Sequence, residues 1–91
     1  MSIQWLFDII NDRRQNPSEK SYTSSLFAGG LQKIAQKVGE EGTEVVIAAL
    51  AQNDQRLIEE VADLTYHTLV LLAARGLTPS DVVAELQKRH K

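Results

Sequence analysis

The 91-residue chain contains no cysteine. Disulfides, thiolate metal ligands and a cysteine nucleophile are therefore excluded, which fits a reducing compartment. A membrane-spanning run is also missing. The longest apolar stretch, Val45 to Ala51, falls far short of the ~20 residues that cross a bilayer. Met1 to Asp8 lacks the basic flank and apolar core of a secretory signal. We read a cytoplasmic chain with no membrane partner. Nor is there an excess of basic charge. The formal net charge is −2, so nucleic acid is not the expected partner. Neither the phosphate-loop pattern GxxxxGK[ST] nor the dinucleotide pattern GxGxxG occurs. No internal repeat, low-complexity tract or linker divides the chain, and residues 1–91 read as one domain.

What is present is helical periodicity. Ile3, Leu6, Phe7 and Ile10 recur at i, i+3, i+4 and i+7, with Trp5 and Ile9 widening the stripe. This predicts a helix from about Ser2 to Gln15, stopped by Pro17. Ser21 to Ala28 forms a short helix ending at Gly29-Gly30. A long helix follows from about Leu31 to Gln52, burying Leu31, Ile34, Ala35, Val38, Val45, Val46 and Ala49. Gly39 and Gly42 each weaken a helix interior by roughly 1 kcal/mol relative to Ala. They point to close packing or close approach of a ligand. Asn53-Asp54 caps the next helix, Gln55 to Arg75, with Gly76 as its stop. Leu57, Ile58, Val61, Ala62 and Leu64 form its inner face, and Leu69 to Ala74 is apolar nearly all round. Thr78-Pro79-Ser80-Asp81 is a strong helix start. The last helix runs to about Arg89 and buries Val82, Val83 and Leu86. The expected fold is all-α: four long helices and a short one, an antiparallel bundle completed by a second copy. Small domains bury only roughly 60–65% of their unfolded surface, so association is a common remedy.

Charge is grouped along these helices. Basic residues gather at Arg13-Arg14, read as a solvated face, and in Lys88 to Lys91. The informative acids are Glu41 and Glu44, then fifteen residues, then Glu60 and Asp63. Each pair sits at i and i+3, on one side of a helix, and the intervening turn allows antiparallel helices to bring the pairs together. Four converging carboxylates repel one another and raise each other's pKa values. A divalent cation removes that cost. Oxygen donors without cysteine favour a hard ion, magnesium or manganese, which would in turn imply a phosphate-bearing ligand. Acidic pairs are also common on purely solvated faces, so spacing alone leaves both readings open.

Flanking residues have two readings as well. Lys37, and Lys33 a turn earlier, suit the phosphates of a triphosphate. Equally, Lys37 suits an i, i+4 ion pair with Glu41. His67, one turn after Asp63, either contacts substrate or is a hydrogen-bonded core histidine. A di-iron bundle would want Glu-x-x-His on two helices, which is absent here.

The stretch Lys37-Val-Gly-Glu-Glu-Gly-Thr-Glu-Val-Val-Ile-Ala-Ala49 closely resembles the phosphoribosyl-ATP pyrophosphatase family. So do Glu60-Val-Ala-Asp-Leu-Thr-Tyr-His-Thr-Leu-Val70, Ser21-Tyr-Thr-Ser-Ser-Leu-Phe27 and Ala74-Arg-Gly-Leu-Thr-Pro-Ser-Asp-Val-Val-Ala-Glu-Leu86. The resemblance spans nearly the whole chain. It implies an all-α nucleotide pyrophosphatase fold, usually dimeric, with magnesium held by Glu41, Glu44, Glu60 and Asp63. Glu40, beside the first pair, would help through a water contact. Glu41 or Glu44 would activate water, and Lys37, Lys33 and His67 would serve the substrate. The implied reaction splits the α–β phosphoanhydride of phosphoribosyl-ATP, giving phosphoribosyl-AMP and pyrophosphate in the second step of histidine biosynthesis. Two departures stand out: Ser25 where the family often carries a basic residue, and Gly42 where it often carries Ala. Rival readings are a housecleaning pyrophosphatase of the same superfamily and a non-catalytic helical dimerisation module.

Overall fold

The computed structural model describes residues 1–90. Among them there are five helices and no strand: α1 (Ile3–Gln15), α2 (Tyr22–Gly29), α3 (Leu31–Ala51), α4 (Asp54–Ala74) and α5 (Pro79–Arg89). Lys91, the end of the basic tail, lies outside the described residues.

Local chemistry sets the boundaries. Ser2 Oγ accepts from the Trp5 amide at 3.0 Å to open α1. Ser21 Oγ accepts from the Ser24 amide at 3.1 Å to open α2. Asn53 Oδ1 accepts from the Arg56 amide at 2.9 Å to open α4. Each side chain satisfies an amide that the first helical turn leaves unpaired. At α5 the capping is reciprocal. Thr78 Oγ1 accepts from the Asp81 amide, and the Asp81 carboxylate accepts from the Thr78 amide, with Pro79 at the first helical position. Gly30 adopts φ 91° between α2 and α3, and Gly76 adopts φ 72° after α4. At Gly76 the Leu77 amide donates to Leu72 O at 2.8 Å and the Gly76 amide to Ala73 O at 3.1 Å. This is the glycine-terminated helix end that L-residues resist.

The two long helices α3 and α4 pack along their length as a hairpin, because only Gln52 and Asn53 separate them. α1 lies on α4, and α2 fills the angle between α1, α3 and α4. The core where they meet is Phe7, Ile10, Leu26, Ile34, Leu69, Val70 and Ala73. Ser24, buried in α2, accepts from the Ser18 amide and donates to Arg13 O, which ties the Pro17 loop down.

Several expected core faces are open in the single chain. In α3, Ile34 and Ala48 are buried, but Leu31, Ala35, Val46 and Ala49 are exposed. In α4, Ile58, Val61 and Ala62 are exposed, and the inner position is taken by Glu60. Val82, Val83 and Leu86 of α5 are exposed too. The physical reason is shared. These helices are apolar over more of their circumference than one neighbour covers, and α5 meets the body chiefly through α1. A Cβ built on Gly39 or Gly42 meets nothing within 4 Å. Close packing within the chain therefore does not explain those glycines.

Candidate metal centre

The α3–α4 hairpin places Glu41 opposite the second and third turns of α4, at similar distances from the Gln52-Asn53 turn. The i, i+3 spacing turns Glu60 and Asp63 to the same side. One oxygen each from Glu41, Glu60 and Asp63 lie within 4.8 Å of one another. Glu60 is buried, Glu41 half-buried and Asp63 exposed, so the cluster opens from the hairpin interior to solvent. Glu44, one turn further along α3, is exposed and stands outside this group.

The electrostatics follow from this crowding. Burial, above all, pushes the Glu41 carboxyl above its ordinary value, and the carboxylates of Asp63 and Glu60 add to it. His67 and Lys37 oppose the shift. The donor set is oxygen only. Three carboxylates are a donor set that suits a hard dication, which would neutralise their repulsion.

Around the cluster the remaining candidates separate. His67 is buried, and its Nδ1 donates to Asp63 O at 2.8 Å. The carbonyl can only accept, so Nδ1 carries a proton, and Nε2 shares a hydrogen bond with the Tyr22 hydroxyl at 3.0 Å. Both nitrogens are thus engaged within the protein, and His67 ties α2 to the turn of α4 that carries Asp63. Tyr66 stacks near Tyr22 and hydrogen-bonds Thr23 beside this bridge. Burial holds the Tyr66 phenol above its usual range, against the Thr23 bond, which lowers it.

Lys37 is half-buried and lies 4.0 Å from Glu40, at i, i+3, rather than bridging to Glu41. Glu40 also accepts from Gln36 Nε2 at 2.8 Å. Lys33, Lys37 and Glu40 share a cleft of about 370 Å³ along the first half of α3, with Gly29, Gln32 and Gln36. Its last basic group lies one helical turn from Glu41. A Cβ on Gly29 would sit 2.9 Å from the Lys33 stem, so the glycine keeps that lysine's seat open.

Two features escaped the sequence reading. Arg56 donates from Nη2 to Glu60 at 2.6 Å and from Nη1 to Glu59. Its i, i+3 and i, i+4 spacing to these acids was the available signal. The Tyr22–His67 bond joins residues 45 apart and has no local signature.

A model of the phosphoribosyl-ATP pyrophosphohydrolase family matches residues 4–90. Named relatives agree with it. The chain is 51% identical over 89 residues to the phosphoribosyl-ATP pyrophosphatase of Sulfolobus acidocaldarius, covering 98% of this chain and 94% of that one. It is 52% identical over 89 residues to that of Lacticaseibacillus casei, covering 98% and 81%. To that of Listeria welshimeri it is 55% identical over 85 residues, covering 93% and 82%.

Proposed function

The chain belongs to the phosphoribosyl-ATP pyrophosphohydrolase family, and on that premise we propose that it hydrolyses phosphoribosyl-ATP. Water adds across the α–β phosphoanhydride, and phosphoribosyl-AMP and pyrophosphate leave, the second step of histidine biosynthesis. The observation that carries this reading is the convergence of Glu41, Glu60 and Asp63 from two helices within 4.8 Å. These residues, with Glu44 one turn on, would hold magnesium, or manganese in its place. Such an ion supplies charge withdrawal from the phosphoryl group under attack and from the departing pyrophosphate.

The protein's own groups do the rest. Glu41 or Glu44 orients the attacking water from α3 and takes its proton. Lys37 and Lys33 stand on one face of the adjacent cleft, where they neutralise phosphate oxygens that reach past the acids. Glu40 braces Lys37 and contacts the site through water. His67 serves the substrate side by fixing the Asp63 turn against Tyr22 of α2, the element that borders the nucleotide.

We place the enzyme in the cytoplasm, acting as a homodimer whose second copy covers the apolar faces left open on α3 and α4. No helix of the described residues is long and apolar enough to cross a membrane. The test is direct. Incubation with phosphoribosyl-ATP and magnesium should release pyrophosphate and phosphoribosyl-AMP, identified by mass. E44Q and D63N should each lose at least about 100-fold in rate while keeping wild-type helicity. Full activity in both would overturn the assignment.

A further inference from the structure

Glu60 is the buried member of the acidic group, 6% exposed, and ionised carboxylates tolerate burial only with a compensating partner. In the chain as it stands that partner is Arg56, one turn earlier on α4. Arg56 Nη2 donates to Glu60 Oε1 at 2.6 Å, while Nη1 of the same guanidinium donates to Glu59. The planar fork thus spans an inner and an outer carboxylate, which a lysine ammonium could not do in the same way. The two seats differ. The Glu60 side chain is 8% exposed, whereas those of Glu59 and Arg56 are 46% and 42% exposed. Glu59 is itself held by Gln55 Nε2 at 3.2 Å, so it offers the guanidinium a fixed alternative at the rim.

A dication seated among Glu41, Glu60 and Asp63 would draw on the same Glu60 carboxylate and would repel a guanidinium in contact with it. We propose that Arg56 is the resident counter-ion of Glu60: it holds that carboxylate in the site before metal arrives, yields it to the metal while staying on Glu59, and so sets the affinity of the site for dications. The inference rests on the metal reading of Glu41, Glu60 and Asp63. It makes Arg56 a positioning residue that acts through Glu60 and touches neither substrate nor metal. Two consequences follow together. Without Arg56 the metal-free chain keeps an uncompensated buried charge and is less stable. The metal meets no competitor and binds more tightly. A merely structural ion pair predicts the first effect without the second.

The experiment uses the full chain, with Mn²⁺ and then Mg²⁺ titrated calorimetrically at fixed pH and low salt, beside thermal melts with and without metal. R56Q should melt below wild type without metal and bind Mn²⁺ about three- to tenfold more tightly, and its melting deficit should close at saturating Mn²⁺. R56K, which retains the charge, should bind Mn²⁺ nearer to wild type. Binding by R56Q at wild-type affinity or weaker overturns the proposal. No Mn²⁺ binding by wild type would instead overturn the metal reading beneath it. Should R56Q fail to fold, the wild-type NMR signals of the Arg56 guanidinium decide. Mg²⁺ should free the groups bonded to Glu60 and speed their exchange with water, and unchanged exchange would refute the release.

Discussion

At the scale of single residues, the acidic group is a set of charges that the metal-free fold holds at a cost. Glu41 shows the sign of that cost. Its carboxyl is pushed above the ordinary 4.5, first by burial and then by Asp63. The unfolded chain therefore releases this proton at lower pH than the folded chain does. Stability from this group falls as pH rises from the unfolded value through the raised folded one, and the loss is complete above it. In metal-free protein, E41Q should thus melt above wild type at neutral pH, and the advantage should vanish once pH falls below the unfolded value. Saturating magnesium should invert the order at neutral pH, because only wild type keeps the ligand. Melting curves across pH, with chelator and with magnesium, check both halves. An E41Q chain no more stable than wild type in chelator would remove Glu41 from the crowded group.

The same scale shows what could be read without coordinates. Glu41, Glu60 and Asp63 were legible because i, i+3 spacing fixes a shared helix face and a short turn fixes antiparallel pairing. The position of Glu44 relative to them was not, since it depends on the rotation of α3 against α4. Nor was the hydrogen-bonding of His67, whose Tyr22 partner comes from a helix far away in sequence. Arg56 was legible in principle, because it and its two acceptors lie within five residues.

At the scale of elements, boundaries were legible almost to the residue and burial was not. Caps are local: Ser2, Ser21, Asn53 and Thr78 each bond an amide three residues on. Burial depends on what covers a helix, which no local rule contains. α5 joins both lessons. It has the most complete cap in the chain, yet none of its residues is buried and it contacts the body chiefly through α1. An element capped well but packed little opens on its own rather than with the whole fold. Thr78→Ala should therefore weaken α5 by about 1 kcal/mol. It should speed amide exchange across Pro79–Arg89 several-fold, while the amides of α3 and α4 keep their wild-type protection. Equal loss of protection in α4 would show that α5 is part of the main cooperative unit.

At the scale of the whole molecule, one copy is more open than a compact monomer of its mass. A compact monomer of 10.1 kDa presents about 5,300 Å² to solvent, whereas this chain presents 6401 Å². Its radius of gyration is 14.2 Å, against about 12 Å for a compact chain of this length. The excess of roughly 1,100 Å² compares with about 800 Å² hidden per partner in a standard interface. Its location is informative. Val46 and Leu50 of α3 and Ile58 of α4 are 55%, 83% and 62% exposed, on the outer side of the same hairpin that carries the acids. Gly39 lies on the helix row of Val46 and Leu50, where its missing side chain leaves open space for another helix. A second copy docked on this face would hide the apolar residues and stiffen the hairpin on which the acidic geometry depends. The melting temperature of wild type should accordingly rise with protein concentration, since association stabilises the folded form by mass action. L50E places a charge in that contact. It should sediment as a monomer at concentrations where wild type is dimeric, melt lower, and lose the concentration dependence. A dimer that persists in L50E would move the interface elsewhere, and the next surface to test is the apolar groove of Ile3, Leu69, Leu72, Val82 and Val83 between α1, α4 and α5.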